Sequence, residues 1–304
     1  HWTQGVELGS EAIASCIRLE SFLNLTTADK KDNNNEKYPE IIEVDAANSK
    51  GIELMEKGTV DATQQVSHGG SDSINLSIQG GKCFCYGKDP DVKSILSNMN
   101  LYVRKNDLVI VVGPVGAGKS SFLNVLLGEL NQLPENGSAN DKPQVADCFF
   151  KGGIRPRVAF CPQIPWIFSA SVRENVIVSS ESMDRSKYDT NLYDLAMRSC
   201  CINEDLKQLP DGDNTEIGEK GVSISGGQKA RLALARAVYS DADVYLLDDP
   251  LSAVDAHVSR ALLDDCIIDG LKKRGKTVIL CTHQMQYLKH ADKVLVLAAD
   301  GAQK

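Results

Sequence analysis

The run Gly113-Pro114-Val115-Gly116-Ala117-Gly118-Lys119-Ser120-Ser121 carries the sharpest chemical signal in this sequence. Its glycines let backbone N–H groups turn inward around an anion. A helix starting at Lys119 would add free N–H donors and the positive end of its dipole. The spacing fits G-x-x-x-x-G-K-[ST], a cradle for a polyphosphate. In such a cradle Lys119 reaches the β- and γ-phosphates of ATP and Ser120 holds Mg²⁺. A glycine-rich turn with an exposed lysine shares the composition. It does not require the continuous apolar run Leu108–Val112 in front of it and a helix behind it. A second apolar run, Val244-Tyr-Leu-Leu, ends in Asp248. At the carboxyl edge of a parallel sheet that carboxylate faces the ligand crevice, so Asp248 is the candidate for ordering Mg²⁺ and its waters.

A third stretch, Ser225-Gly226-Gly227-Gln228, opens another helical pattern. Ser225 is placed to cap that helix, and its hydroxyl with the glycine amides makes a second anion site. One chain thus carries two phosphate-binding devices. Two copies packed head to tail would hold ATP between the loop of one and the Ser-Gly-Gly-Gln turn of the other.

Followed by Lys-Ala-Arg-Leu-Ala-Leu-Ala-Arg-Ala, that turn resembles the signature of ATP-binding cassette proteins. The resemblance covers about residues 74–300. It implies further roles. Gln163, in Phe-Cys-Pro-Gln, resembles the loop glutamine that senses Mg²⁺ and contacts the transmembrane part. Ser252-Ala-Val-Asp255 resembles the loop crossing the dimer interface. His283 resembles the switch histidine at the γ-phosphate, and Tyr86 the aromatic that stacks on adenine, with Phe84 as a rival. Gly-Pro-Val-Gly-Ala-Gly-Lys-Ser-Ser and the run Asp248–His257 look like the first nucleotide-binding domain of subfamily C, the multidrug-resistance-associated type. Two positions depart from the pattern. Ile224 stands where leucine begins the signature. Asp249 stands where an active cassette has glutamate as base for the attacking water. A side chain one methylene shorter loses hydrogen-bond reach, so hydrolysis at this site should be slow.

The expected catalytic set is therefore Asp249, His283 and Gln163. The nucleotide set is Tyr86, residues 113–121, Gln163, His283 and Ser225–Gln228, and the Mg²⁺ set is Ser120, Gln163 and Asp248. The expected protein is an ATP hydrolase with low activity in isolation. It powers or gates a subfamily C exporter at the cytoplasmic face of a membrane, beside a second nucleotide-binding domain and the transmembrane domains. By itself the domain is expected to be a monomer. Two other readings stand beside this one: a regulatory cassette of a channel or channel regulator of the same subfamily, and a soluble cassette ATPase of translation or DNA repair. A net charge of −8 weighs against nucleic-acid partners and so against the last.

These residues need a scaffold that brings them together. Apolar runs alternating with helical patterns predict an α/β chain, a P-loop NTPase core with a mainly parallel sheet. The resemblance adds a small antiparallel β subdomain and an α-helical signature subdomain at about 165–240. The patterns predict strands at 74–78 and 81–86 joined by a Gly80-Gly81 turn, then at 100–103, 108–112, 158–161, 244–247, 277–281 and 294–297. They predict helices at 119–130, 190–206, 226–239 and 256–273. Residues 6–25 read as an amphipathic helix, and the resemblance implies that the segment 1–25 is a helix leaving a transmembrane domain. Residues 26–71 read as a flexible linker or insertion with room for short order near Ile41–Val44, 133–153 as an inserted loop, and 72–304 as the nucleotide-binding domain. His1-Trp2 and Gln303-Lys304 read as internal to a larger protein. The sequence has no apolar run of membrane-spanning length. Its nine cysteines, an odd number scattered through apolar runs, read as reduced buried thiols, and Cys83-x-Cys85 is too tight for a zinc knuckle.

Overall fold

The computed structural model describes residues 40–44, 74–86, 94–132, 144–145, 156–178, 188–219 and 221–297. The predicted helix at 6–25 lies outside them, as do most of 26–71 and 133–153.

The core is a six-stranded sheet. Its strands are β1 (Glu40–Val44), β4 (Leu108–Val112), β7 (Val158–Cys161), β10 (Val244–Asp248), β11 (Thr277–Cys281) and β12 (Lys293–Leu297). Their order is β1-β12-β4-β11-β10-β7, and every neighbouring pair is parallel. β4, β10 and β11 are buried along their whole length, which is why they read as unbroken apolar runs. Strand alternation then splits their side chains between two cores. Leu108, Ile110, Tyr245, Leu247, Val278 and Leu280 enter one, with the signature helix and the helices around it. Val109, Val111, Val244, Leu246, Ile279 and Cys281 enter the other, against α1 (Lys119–Leu127) and an antiparallel sheet.

That second sheet has the order β3-β2-β5-β6, with β2 (Ile74–Cys85), β3 (Leu96–Arg104), β5 (Asn131–Gln132) and β6 (Gln144–Val145). Here the expected hairpin at Gly80-Gly81 is wrong. Both halves of β2 pair with β3, and register shifts between Ile78 and Lys82 absorb the glycines, so the two runs form one irregular strand. Within the segment read as a linker, residues 40–44 form an edge strand on β12.

The helical part contains α2 (Val172–Ile177), α3 (Thr190–Ser199), α4 (Asn203–Leu206) and α5 (Gly226–Tyr239). The single helix expected over 190–206 is broken at Cys200–Ile202, where Cys201 adopts φ 55°. α1 stops at Gly128, φ 81°, whose N–H caps the last turn. The helix expected over 256–273 begins as α6 (Ala256–Ala261), continues as π-helix over Leu262–Leu271 and ends in a 3₁₀ turn.

Candidate functional site

Parallel strands put their carboxyl ends on one edge. The four neighbours β4, β11, β10 and β7 therefore deliver to one crevice the loops that follow Val112, Cys281, Asp248 and Cys161. Residues 113–121, His283, Asp248-Asp249 and Gln163 are far apart in sequence and adjacent here by register: Asp248 lies opposite Cys281, Cys281 opposite Val111, and Leu247 opposite Cys161.

The 113–118 loop depends on its glycines. Gly116 and Gly118 have φ of 84° and 89°, a left-handed conformation that side chains resist. Gly113 is needed for a different reason. A Cβ there would stand 2.5 Å from the Leu297 carbonyl oxygen, so the loop can lie against the end of β12 only without one. Lys119 is buried, and its Nζ donates to the carbonyls of Gly113 at 2.8 Å and Pro114 at 3.0 Å, so the ammonium is folded back over the loop. Burial pushes this ammonium below the ordinary lysine range, while Cys281, Asp249 and Asp248 pull the other way. No side chain caps the start of α1, which leaves its first N–H groups to an anion.

Asp248 and Asp249 are both buried. Asp249 is left-handed at φ 49°, and its N–H donates to the Cys281 carbonyl at 3.0 Å. Its Oδ2 lies 3.9 Å from His283 Nε2, while its Oδ1 is buried with no hydrogen-bond partner. Burial pushes this carboxyl above the usual aspartate range, against the lowering effect of His283 and Lys119. An orphaned buried acceptor beside a half-exposed histidine and a buried lysine is expensive for an empty fold, and it suits a place where a reacting group completes the set. Ser120 and Asp248 offer hard oxygens, the donor type that Mg²⁺ takes alongside waters and phosphates. Gln163 is exposed on the loop after β7, and its neighbours Ile164 and Trp166 are 84% and 59% exposed.

The signature turn sits at the head of α5. Ser225 Oγ accepts from Gln228 N at 3.2 Å and Gln228 Oε1 accepts from Ser225 N at 2.8 Å, a complete capping box. Gln228 Nε2 also donates to Asp205, which Arg231 holds with a 2.6 Å ion pair, so α4 braces the turn. Ile224, the first departure from the signature pattern, is buried in the core, where a branched aliphatic serves as leucine would. Tyr86 is 44% exposed and its hydroxyl donates to Ser121 Oγ at 3.3 Å, whereas Phe84 is fully buried. Only Tyr86 of this pair can meet a ligand.

With this geometry in view, comparison with known proteins is decisive. The family profile described as ABC transporter matches residues 96–252. This chain belongs to the ABC transporter family. The cassette is 46% identical over 202 residues to human ATP-binding cassette sub-family C member 4, an alignment covering 66% of this chain and 14% of that protein. It is 47% identical over 202 residues to Caenorhabditis elegans multidrug resistance protein mrp-7, covering 66% of this chain and 12% of the relative. It is 36% identical over 245 residues to the metal resistance protein YCF1 of Saccharomyces cerevisiae, covering 81% and 15%. The chain therefore spans about one seventh of the length of the relatives it matches. Its likeness lies with subfamily C, and its family character is that of an ATP-binding domain.

Some residues of the cassette give no signal in sequence. Gln284 donates from Nε2 to the Leu251 carbonyl at 3.1 Å and accepts from Ser259 Oγ at 3.3 Å, tying the loop of His283 to the Ser252–Asp255 loop. Arg236 of α5 donates to the carbonyls of Asn175 at 2.7 Å and Trp166 at 2.9 Å and lies over the Trp166 ring, fastening the signature helix to the segment after Gln163. Each partner is dozens of residues away or identified by its backbone alone, so no spacing announces it. Among the described residues, no group of three or more histidine, cysteine, aspartate or glutamate side chains could hold a metal ion. Cys161, Cys200, Cys201, Cys266 and Cys281 carry no disulfide, and burial pushes the Cys161 thiol up to about 12, which keeps it an inert core residue.

Proposed function

We propose that this cassette binds MgATP and hydrolyses it slowly. In this reading it is the first nucleotide-binding domain of a subfamily C exporter. It stands at the cytoplasmic face of a membrane, with the transmembrane domains and a second cassette as partners. Residues 113–121 wrap the phosphates, with Lys119 at the β- and γ-phosphates. Ser120, Asp248 and Gln163 hold Mg²⁺, which would neutralise charge on the phosphates. Tyr86 takes the adenine. His283 contacts the γ-phosphate, and Ser225–Gln228 complete the site of the partner cassette. By itself the domain is a monomer of low activity.

The observation that carries the slow-site reading is Asp249. It occupies the base position with a buried, unpartnered Oδ1, yet its reach is one methylene short of glutamate. Asp249→Glu in the full transporter is expected to raise turnover of ATP held by the 113–121 loop at least tenfold, a part of the about 10²–10⁴ that a well-positioned base contributes. Single-turnover hydrolysis at that site measures it, and unchanged turnover sinks the slow-site reading. Lys119→Ala is the control for binding. It should cost on the order of 100-fold in MgATP affinity, through loss of a charge-assisted contact of about 1.5–3 kcal/mol.

A further inference from the structure

Asn124 lies one turn beyond Ser121 on α1 and is half-buried, outside the G-x-x-x-x-G-K-[ST] pattern. Its Nδ2 donates to the Tyr86 hydroxyl oxygen at 3.0 Å, and that hydroxyl donates in turn to Ser121 Oγ at 3.3 Å. Tyr86 follows β2 directly, and its ring is nearly half exposed. An exposed ring has rotamer freedom to lose when a base stacks on it. Here both positions of the hydroxyl, acceptor and donor, are occupied by two side chains of one helix, and that helix begins with the phosphate-binding turn.

The direction of the chain matters. An amide N–H can only donate, so Asn124 fills the acceptor side of the tyrosine oxygen and leaves its proton for Ser121. Ser121, accepting from Tyr86, keeps its own proton free to point at an anion. Hydrogen bonds in series polarise one another, so each strengthens the next. We infer that Asn124 is a positioning residue for the nucleotide: it locks the Tyr86 ring as a preformed shelf for the base. The inference rests on the reading of Tyr86 as the base-stacking residue. Preorganisation of this kind raises affinity by reducing what must be ordered on binding.

The test is calorimetric, on this chain, with MgATP and with inorganic triphosphate plus Mg²⁺ as probes. Asn124→Leu, close in size, should weaken MgATP binding about fivefold, the equivalent of one net hydrogen bond, with triphosphate affinity changed less than twofold. Tyr86→Phe keeps the ring and removes both bonds, so it should weaken MgATP binding by a similar factor. The double variant should be no worse than Tyr86→Phe alone, because the two share one interaction. Asn124→Leu binding MgATP as tightly as the parent chain overturns the inference. So does an equal fall for both probes, which would mark Asn124 as structural support for α1. Should Asn124→Leu fail to fold, Tyr86→Phe with parent-like affinity for MgATP overturns it instead. A parent chain that binds triphosphate as tightly as MgATP refutes the base shelf at Tyr86 itself, and the inference falls with it.

Discussion

Asp249 concentrates the conflict between stability and function in a single residue. It combines a left-handed φ, a carboxyl that is 5% exposed, and an oxygen with no donor. Its folded pKa is raised, mainly by burial, so folding disfavours its ionised form. The sign follows. Stability from the neutral form is fully present below the unfolded aspartate pKa, about 3.9, and is lost as pH rises through the folded value. At pH 7 the ionised side chain burdens the ligand-free domain. Asp249→Asn removes that charge and should stabilise the domain at pH 7 by on the order of 1 kcal/mol, because a neutral amide costs less to bury than a carboxylate. The gain should shrink as pH approaches 4. Melting curves of both chains between pH 7 and 4.5 read this directly. A gain that is constant or grows toward low pH contradicts the assignment. MgATP should narrow the difference at pH 7 if Lys119 and bound water serve the orphaned oxygen.

Glycine roles at the scale of the element separate packing from backbone strain. Gly113→Ala drives a Cβ into the Leu297 backbone oxygen, which has no rotamer by which to yield. It should cost about 1–3 kcal/mol by forcing β4 and β12 to shift, even without nucleotide. Gly116→Ala meets nothing within 4 Å, so it pays only for its φ of 84° at about 1–2 kcal/mol. Urea titrations should rank both as destabilised, and MgATP should restore Gly116→Ala more readily, because its backbone path is still open to the ligand. The elements also show what a sequence can and cannot disclose. Leu108–Val112, Val158–Cys161, Thr277–Cys281 and the helix at 226–239 follow from continuous apolar runs or helical spacing, and the structure has each at those limits. The short elements were not legible. α2, β8 (Ala170–Ser171) and β9 (Glu216–Ile217) are two to six residues long, and β8 and β9 exist because they pair with each other across 45 and 47 positions, not through local propensity. β2 was misread as a hairpin because Gly80-Gly81 is a turn signal locally, while the partner that holds both halves straight lies in β3. At the site, the 113–121 loop and Asp248 stood out as candidates because each directly follows a continuous apolar strand. The choice between Tyr86 and Phe84 needed burial, and the ties made by Gln284, Arg236 and Asn124 needed three dimensions.

At the scale of the whole molecule, the two turns proposed to bind anions are both open. At the tip of the 113–118 loop and at the signature turn, a Cβ on Gly116 or Gly226 would meet nothing within 4 Å. Ser225 and Gly226 are exposed, and Ser225's oxygen faces its own helix cap. If the signature serves the nucleotide of a partner cassette, its loss should spare this chain's own MgATP binding and damage hydrolysis at the partner's site. Ser225→Ala tests this poorly, because it also removes a cap worth about 0.5–2 kcal/mol. Gly226→Ala separates the two effects. It places alanine in the first turn of a helix, at a position with ample room, so the domain should be unharmed or stabilised by about 0.4–1 kcal/mol. The added methyl would project where the partner's phosphates must approach the backbone. The expected outcome is an unchanged MgATP Kd for this chain and at least a tenfold fall in hydrolysis by the assembled pair of cassettes. The charge of −8 adds a condition, since two copies of one acidic cassette repel each other. Light scattering in MgATP should therefore find this chain monomeric alone and dimeric with the second cassette. If Gly226→Ala leaves assembled hydrolysis intact, the signature turn is a helix cap and nothing more. If it weakens this chain's own MgATP binding instead, the two devices act within one molecule and the head-to-tail arrangement is wrong.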